Sequence, residues 1–478
     1  MLTVTKRYLF GLILFGVCLR FFHLGSQSLN WDELDTYMII NKTFVGSLKD
    51  IISIHTRHPP MYFFVVKIWT MLAGTSELSL RFPSMVFSVF SILALYLLGK
   101  ELFGKNAGFF SAVFATFSAY HINYAQDARM YAMFWCLVSF SFLFFLRFLK
   151  SNSQRDLTYH ILSTSLCIYT MYSGLVLVIV QAFYVILVYP KRLKQFSLAF
   201  MIIALSYLPW IAVFYRTAVL HNGINWIPKT NNYFLFFIMA FRYLIGISLG
   251  NNVPFEWACY LFFVCSGIFY HKKKRGNNFS VNINKSYQLL YVWVFVSVFT
   301  FVIIDILYHP ILTVRYIGFL YIPLIILLGK GINRYGEKTS IVILCAFTII
   351  SLTQHIFPYY QRNLKINGHD ARGILMKIKN EAPRGALVIS KIPLQYYTQK
   401  IGLDFVGTGM GKIKKGYDKV FIVYQRCENV DTLKKSGEEP PNILQFSKKI
   451  SETFGKDFQC TEDYRETGIG FFKFETRV

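Results

Sequence analysis

The chain has 478 residues, of which 54% are hydrophobic and only 16% are charged, and its formal net charge at pH 7 is +25. An ordinary soluble domain carries about 25% charged residues, so this composition excludes a soluble enzyme. A strong positive charge can indicate nucleic-acid binding, but here the basic residues lie in short loops between apolar runs, which is the positive-inside pattern of membrane proteins. We therefore expect anionic lipid head groups and phosphate ligands as partners, and not nucleic acid.

Apolar runs of about 20 residues, the length that crosses a bilayer, recur from the N-terminus to residue 357. The first run follows Lys6 and Arg7 and resembles a signal peptide, but no clear cleavage site follows it, so we predict an uncleaved transmembrane helix. Clear spans are predicted at 8–24, 81–98, 106–123, 129–149, 157–172, 174–189, 196–215, 254–270, 287–308, 315–331 and 339–357. Two further stretches, 60–74 and 233–250, are ambiguous: the count is thirteen with both and eleven without them.

The distribution of Lys and Arg decides between the two counts. With eleven spans and the N-terminus inside, every strongly basic loop falls on one side, whereas thirteen spans move the loops between residues 100 and 194 to the other side. We therefore predict eleven spans and place 60–74 and 233–250 as helices in the outer interface. The segments predicted outside, on the extracytoplasmic face of a bacterial cytoplasmic membrane, are 25–80, 123–129, 309–314 and the chain after 357.

The composition changes near residue 358, where charges mix and apolar runs shorten. Short apolar stretches predict three β-strands, at 386–390, 420–424 and 470–474. A helix is predicted at 370–381, with Asp370 as its N-cap. The fold class expected is therefore an all-α polytopic membrane domain over 1–357, followed by a small extracytoplasmic α/β domain over 358–478.

Acidic residues cluster just beyond the first predicted helix, in the sequence Trp31-Asp32-Glu33-Leu34-Asp35. Such a cluster at the membrane surface is unusual in so basic a chain. A surface carboxylate can serve as a general base, a metal ligand or a cation trap. The alternative is structural, because Asp32 or Glu33 in the first turn of a helix would interact favourably with the helix dipole.

Further reactive side chains occur elsewhere in the predicted outer segments and next to them. His58 precedes two prolines, where a lone histidine is usually structural, and Asp127 and Arg129 stand between two spans, where they could simply pair. Arg315 at an outer helix end suits a phosphate, although it could instead snorkel to the interface. Together these segments place carboxylates, an imidazole and two arginines on one membrane face. Such a site could deprotonate an acceptor and bind an anionic leaving group.

Several short motifs follow one another in order over roughly residues 20–330. They are Asp32-Glu33, the segment from His58 to Tyr62, Ser79-Leu80-Arg81-Phe82-Pro83-Ser84, Leu102-Phe103-Gly104, the segment from Tyr124 to Tyr131, and Arg315-Tyr316 with Pro323. With this ordered set the chain resembles the membrane glycosyltransferases of the GT-C fold. It is most similar to the bacterial relatives of dolichyl-phosphate-mannose protein mannosyltransferases, which include aminoarabinose and galacturonosyl transferases acting on lipid A or lipopolysaccharide. Two positions depart from the family pattern, with Met171 where histidine is common and Asp127 where glutamate is common.

The resemblance implies a lipid-linked donor and a mechanism. The donor would be a sugar on a polyprenyl phosphate, and the acceptor a hydroxyl group of a cell-envelope lipid, glycan or protein. Asp32 would act as the general base, supported by Glu33, and such assistance is worth about 10²–10⁴-fold. In-line attack would invert the anomeric carbon, and Arg315, with Arg129 and His58, would stabilise the departing phosphate.

The resemblance also implies a set of residues that contact the substrates. The implied donor-phosphate and substrate-binding residues are His58, Tyr62, Tyr124, Asp127, Arg129, Tyr131, Arg315 and Tyr316. A divalent cation is a possible cofactor, because the acidic cluster around Asp32 could bind one. Membrane lipids complete the expected partners.

Other functions are weaker interpretations of the same residues. A transporter or flippase of lipid-linked sugars, the main alternative, usually shows internal repeats and mid-membrane charges, whereas the ionisable residues here cluster at helix ends on one face. A non-catalytic membrane protein would not need Asp32, Glu33 and Arg315 together. A glycan polymerase or ligase would carry long outer loops rich in Arg and His later in the chain, and this sequence has none.

Overall fold

The chain forms two compact units. The computed structural model describes residues 6–53, 58–217, 227–244, 262, 264–265, 284–360, 370–382, 386–390, 394–406, 417, 419–425, 458–466 and 469–476. The membrane unit comprises Met1–Leu24, Phe44–Gly74 and Arg81–Tyr359, and the C-terminal unit comprises Gly25–Thr43, Thr75–Leu80 and Tyr360–Val478. Two segments of the chain between residues 25 and 80, which the sequence predicts as the first outer loop, therefore belong with the C-terminal chain.

Helices dominate the described residues. In chain order they are α1 (Lys6–Phe21), α2 (Trp31–Ile40), α3 (Phe44–Ile52), α4 (Met61–Ala73), α5 (Glu77–Phe103), α6 (Lys105–Thr116), α7 (Ala119–Ala125), α8 (Tyr131–Ser151), α9 (Gln154–Thr170), α10 (Gly174–Val188), α11 (Leu193–Tyr215), α12 (Tyr233–Leu244), α13 (Lys285–Leu307), α14 (Tyr321–Ile332), α15 (Glu337–Ile350), α16 (Ala371–Glu381) and α17 (Gln395–Ile401). Short 3₁₀ turns precede α11 (Pro190–Arg192) and α14 (Gly318–Leu320), and a π-helical turn (Ser351–Ile356) continues α15.

The helices confirm a multi-pass membrane protein. Within the described ranges, five helices are long and apolar enough to cross a membrane, at Glu77–Phe103, Tyr131–Ser151, Pro190–Tyr215, Lys285–Leu307 and Lys338–Tyr360. The shorter apolar helices are Met61–Ala73, Gly174–Val188, Tyr233–Leu244 and Gly318–Ile332. The predicted span at 254–270 lies almost wholly outside the described residues, and the count of eleven spans stays a prediction.

Two predicted spans differ from the observed helices, and both differences concern site residues. The span predicted at 106–123 is interrupted after Thr116, because Ser118 caps a new short helix by accepting a hydrogen bond from His121 N at 3.3 Å. Serine at such a position competes with continuation of the helix. The span predicted at 315–331 begins only at Gly318, so Arg315 lies in the preceding loop.

Close helix packing in the membrane unit depends on small residues. A Cβ atom at Gly99 of α5 would lie 2.9 Å from Gly108 Cα of α6, and one at Gly329 of α14 would lie 2.5 Å from Ser111 Oγ of α6. Small residues let helix backbones approach in membranes, where apolar side chains alone supply little driving force for association. These contacts fix α5, α6 and α14 against one another.

The C-terminal unit contains a five-stranded sheet in the order β2-β1-β3-β5-β4. Its strands are β1 (Ala386–Ser390), β2 (Asp404–Val406), β3 (Lys419–Gln425), β4 (Phe458–Glu466) and β5 (Ile469–Thr476). β1 pairs in parallel with β2 and β3, with Val388 opposite Phe421, and β5 pairs antiparallel with β3 and β4, with Phe472 opposite Ile422. The three predicted strands and the helix capped by Asp370 are confirmed. The strands that were not predicted, β2 and β4, form the two edges.

Candidate active site

The membrane unit brings three of the predicted site residues together around a fourth, Tyr124. Tyr124 lies on α7, and its hydroxyl interacts electrostatically with Arg315, Asp127 and Tyr131. The Tyr131 ring, at the start of α8, contacts the Tyr124 ring edge to face, with 4.9 Å between the centroids. Tyr243 on α12 was not among the predicted site residues, yet it is hydrogen-bonded to Tyr124 and interacts with Arg315 and Asp127.

The residues of this cluster differ in burial. Tyr124 is 5% exposed and Tyr131 is 2% exposed, whereas Asp127 is half-buried and Arg315 is exposed. A guanidinium group forms paired, charge-assisted hydrogen bonds with phosphate oxygens. The exposed guanidinium of Arg315 is therefore suited to bind an anion.

Asp305 fixes the loop of residues 308–317, which connects α13 to the 3₁₀ turn before α14 and carries Arg315. One carboxylate oxygen, Oδ1, accepts hydrogen bonds from Ile311 N at 2.7 Å and Leu312 N at 3.0 Å. The other oxygen accepts a hydrogen bond from the Tyr233 hydroxyl at 3.0 Å, which joins α12 to the end of α13. Asp305 is 2% exposed and was not predicted as a site residue. The sequence feature that could have identified it is a carboxylate in the last turn of an apolar helix, because ionisable residues in membrane segments are rare and usually functional.

Gly318, the first residue after this loop, allows the chain to approach α7 and α8 closely. A Cβ atom at this position would lie 2.5 Å from Tyr120 Oη and 3.0 Å from Trp135 Cζ2. Both neighbours are buried, at 2% and 1% exposure, and their rings stack with 5.0 Å between centroids. Only glycine fits here without displacing a ring, so the close approach of the Arg315 loop depends on Gly318.

Tyr62 and Arg129 are joined through Ser84. The Tyr62 hydroxyl on α4 lies 2.7 Å from Ser84 Oγ on α5, and Ser84 Oγ donates to the main-chain oxygen of Arg129 at 3.1 Å. Tyr62 is fully buried and Arg129 is 6% exposed. This chain of hydrogen bonds holds the turn between α7 and α8, from which Asp127 and Arg129 project.

Arg20 is a buried arginine that the predicted site residues did not include. Its Nε donates to Ser88 Oγ at 2.7 Å, and its terminal nitrogens donate to Ala115 O at 2.8 Å and Thr116 O at 3.2 Å. One terminal nitrogen also lies 3.0 Å from His121 Nδ1. The guanidinium therefore joins α1, α5, the end of α6 and α7. The sequence feature that could have identified Arg20 is its position inside the first predicted span, because charged residues within a membrane are usually functional.

The remaining predicted residues of the membrane unit, Tyr316 and His58, flank other elements. Tyr316 is half-buried, and its main-chain oxygen accepts a hydrogen bond from Ser173 Oγ at 3.0 Å, which ties the Arg315 loop to the start of α10. His58 is half-buried and precedes Pro59 and Pro60, both buried, which lead into α4. Both residues therefore stand where an irregular segment meets a helix.

Asp32 and Glu33 belong to the C-terminal unit, in the first turn of α2. The N-cap residue Asn30 accepts a hydrogen bond from Glu33 N at 3.0 Å, and Glu33 Oε2 accepts one from Asn30 N at 2.9 Å. This reciprocal pair is a capping box, which satisfies two main-chain donors at the helix start. Glu33 is fully buried, whereas Asp32 is half-buried. Glu33 therefore fixes the turn from which Asp32 projects.

The carboxylates of the segment from Asp32 to Asp35 differ in their burial. Glu33 is buried in the capping box, while Asp35 is exposed. Among the side chains that the structure describes, no three of His, Cys, Asp or Glu are grouped so that they could hold a metal ion.

Comparison with known proteins confirms the predicted resemblance. The sequence model of the family described as dolichyl-phosphate-mannose-protein mannosyltransferase matches residues 57–215. That part of the chain contains His58, Tyr62, Tyr124 and Arg129. No curated protein sequence matches the chain.

Solved structures share the fold over nearly the whole chain. The apo crystal structure of ArnT from Cupriavidus metallidurans is 12% identical, with 98% of each chain covered and a TM-score of 0.64. The structure of the same protein bound to undecaprenyl phosphate is also 12% identical, with the same coverage and a TM-score of 0.61. An Archaeoglobus fulgidus oligosaccharyltransferase in complex with zinc and sulfate is 12% identical, with 96% of this chain and 72% of that chain covered and a TM-score of 0.52. The chain therefore has the GT-C fold.

Proposed function

We propose that this chain is a membrane glycosyltransferase that moves a sugar from a polyprenyl-phosphate donor to a hydroxyl group of a cell-envelope acceptor. The observation that carries the proposal is the grouping of Arg315 and Asp127 around Tyr124, in a chain with the fold of ArnT. The match of residues 57–215 to the mannosyltransferase family supports the same activity. The structure of ArnT with undecaprenyl phosphate supports a donor of the polyprenyl-phosphate class.

Arg315 is proposed to bind the leaving group. When the bond between the anomeric carbon and the phosphate oxygen breaks, the oxygen keeps the electron pair and the phosphate gains negative charge. A positioned cation stabilises that charge as it develops, and this is usually the largest contribution to such catalysis. The exposed guanidinium of Arg315 and its hold by the Asp305-bound loop suit this role. Arg129 and His58 are proposed to assist it.

Asp32 is proposed to accept the proton of the acceptor hydroxyl. The acceptor oxygen then bonds to the anomeric carbon on the face opposite the departing phosphate, so the configuration inverts. Asp32 is half-buried in the first turn of α2, where the capping box formed by Asn30 and Glu33 fixes its main chain. General-base assistance of this kind contributes about 10²–10⁴-fold.

The tyrosines are proposed to shape the donor site. Tyr124, Tyr131 and Tyr316 would contact the sugar or its phosphate, and Asp127 would orient Arg315 through their shared neighbour Tyr124. Tyr62 would act indirectly, because its hydroxyl is bound to Ser84, which in turn holds Arg129. We place this site on the extracytoplasmic face of a bacterial cytoplasmic membrane, as the distribution of basic loops predicts.

Reconstitution with labelled donors tests the proposal against transport. The full chain is placed in vesicles with polyprenyl-phosphate sugars labelled in the sugar, together with an extract of cell-envelope acceptors. We expect label in covalent linkage to an acceptor and one released polyprenyl phosphate for each sugar transferred. Movement of intact donor between the leaflets, with no cleavage for any donor, would contradict the proposal and support a flippase.

A further inference from the structure

We infer that the C-terminal chain positions the base of the proposed reaction, with Tyr397 and Asp370 as positioning residues for Asp32. The inference rests on the proposed function, because that function assigns Asp32 to the reaction. All of these residues belong to one compact unit, in which Gly25–Thr43 packs with the C-terminal chain. The C-terminal α/β fold thereby gains a role in catalysis beyond its own stability.

The first contact lies three residues before Asp32. The Tyr397 hydroxyl on α17 accepts a hydrogen bond from Leu29 N at 2.7 Å. Both residues are 1% exposed, so water does not substitute readily for this contact. A buried main-chain N–H that loses its acceptor destabilises the local structure, because no other partner replaces the lost hydrogen bond. Tyr397 therefore fixes the main chain next to Asn30, the residue that caps α2.

The second contact lies one residue earlier in the chain. Ser28 Oγ donates to Asp370 Oδ1 at 2.5 Å and accepts a hydrogen bond from Arg372 N at 3.3 Å. The same oxygen of Asp370 caps α16 by accepting from Gly373 N at 2.9 Å. Asp370 thus belongs both to the start of α16 and to the approach to α2. The N-cap that the sequence predicted also anchors the segment that carries Asp32.

A third contact holds α2 one to two turns beyond Asp32. The Tyr37 ring on α2 meets the Tyr396 ring on α17 edge to face, with 4.7 Å between centroids. Burial raises the pKa of Tyr396, and the charge of Glu77 adds to the rise, so its hydroxyl stays protonated and donates to Thr75 O at 3.0 Å. Glu77 in turn lies 3.4 Å from Arg372 and 3.9 Å from Lys400. Helix α2 is therefore held at its start and along its length.

The three contacts matter because of where they lie along the chain. Residues 27–30 form neither helix nor strand, so their path to α2 is set by tertiary contacts and not by regular hydrogen bonding. A catalytic group displaced by about 1 Å can lose about 10²-fold in rate. Release of Leu29 or Ser28 would shift the first turn of α2, and with it the Asp32 carboxylate. The residues of the membrane unit that are proposed to bind the sugar donor would be unchanged.

Removal of the Tyr397 hydroxyl tests the inference. We compare Tyr397→Phe with Tyr417→Phe, each in the full chain in nanodiscs. Tyr417 is a matched control, because its hydroxyl donates to Asp404 Oδ2 at 2.6 Å, at the edge strand of the same unit. We expect Tyr397→Phe to lower kcat by about tenfold with the donor KM changed by less than about twofold, and the control to leave both unchanged. Ser28→Ala, which removes the second contact, is expected to act in the same direction.

Two further readouts separate positioning from a general loss of structure. Hydrogen exchange of the peptide covering residues 26–36 should quicken at least about fivefold in Tyr397→Phe and Ser28→Ala, and not in Tyr417→Phe. In the Asp32→Asn background, Tyr397→Phe should cause no further loss of rate, because residues that act through one group are not additive.

Distinct results overturn the positioning role and the assignment of Asp32 as the base. Unchanged exchange or unchanged kcat in both Tyr397→Phe and Ser28→Ala, with Asp32→Asn inactive, would overturn the positioning role alone. A rise in KM at constant kcat would also overturn it, since that pattern reports binding. Full activity of Asp32→Asn would overturn the proposed base and, with it, the positioning of that base by Tyr397.

Discussion

Asn30 and Glu33 cap the start of α2 reciprocally, with 3.0 Å between Asn30 Oδ1 and Glu33 N and 2.9 Å between Glu33 Oε2 and Asn30 N. The two adjacent acidic residues of this turn, Asp32 and Glu33, therefore have different roles. The buried Glu33 carboxylate holds the helix start, while the half-buried Asp32 is the one proposed for proton transfer.

The capping role predicts how substitutions at Glu33 behave. Glutamine can close the same capping box, so Glu33→Gln should keep kcat within about threefold of the wild type. Glu33→Ala leaves the Asn30 N–H without this acceptor and should lower the free energy of unfolding by about 1 kcal/mol and kcat by more than the glutamine variant. Steady-state rates and thermal unfolding in nanodiscs measure both effects. Equal losses of kcat in the two variants would show that the Glu33 charge itself takes part in the reaction.

Arg315 should be sensitive to geometry as well as to charge. Arg315→Gln removes the cation and should lower kcat by about 10²–10³-fold, the effect of deleting one donor to a developing anion. Arg315→Lys keeps the charge but loses the paired donors of the guanidinium, so its kcat should fall between those of the wild type and the glutamine variant. Arg334→Gln, at an exposed arginine between α14 and α15, is the control. A wild-type rate for Arg315→Gln would exclude Arg315 from the leaving-group site.

Gly318 should tolerate no side chain while Tyr120 keeps its hydroxyl. A Cβ atom there would lie 2.5 Å from Tyr120 Oη, and overpacking of this kind costs about 1–3 kcal/mol. Gly318→Ala should therefore lower both the unfolding temperature and kcat, and Tyr120→Phe in the same chain should recover part of the loss. Gly11→Ala is the control, because no atom lies within 4 Å of a Cβ built at that exposed position. A failure of Tyr120→Phe to recover either quantity would place the strain elsewhere.

Asp305 should affect the rate through the Arg315 loop. Asp305→Ala removes the acceptor of Ile311 N and Leu312 N, and each buried donor left unsatisfied costs about 1–3 kcal/mol. We expect lower stability and a lower kcat. Tyr233→Phe deletes one hydrogen bond to the same carboxylate and should cost only about 1 kcal/mol. If the two variants had equal effects on kcat, the main-chain contacts of Asp305 would not be what positions Arg315.

Local signals in the sequence predicted much of this fold. Apolar runs predicted the helices of the membrane unit, and short apolar stretches with a capping aspartate predicted β1, β3, β5 and α16. The edge strands escaped prediction for different reasons: β2 has three residues, and β4 carries the charged residues Glu462, Asp463, Arg465 and Glu466. Charged edge strands protect a sheet from further pairing, and they lack the apolar alternation that marks a strand.

The parts of the site that escaped prediction depend on contacts between distant residues. Arg20 donates to the main chain of Ala115, 95 residues away, and Leu29 donates to Tyr397, 368 residues away. Neither residue lies in a recognisable motif, because the fold and not the neighbouring sequence supplies the partner. The resemblance supplied Tyr124, Asp127 and Arg315 as candidates, and their grouping emerged only from the structure.

The measurement that tests the central claim most directly is release of polyprenyl phosphate by the wild type, Asp32→Asn and Asp35→Asn. Asp35 is the matched control, because it is an exposed aspartate on the same helix. We predict release from at least one labelled polyprenyl-phosphate sugar by the wild type and by Asp35→Asn, and a fall of about 10²–10⁴-fold for Asp32→Asn. Equal release by all three proteins would remove Asp32 as the base, and no release from any donor would contradict the assignment as a glycosyltransferase.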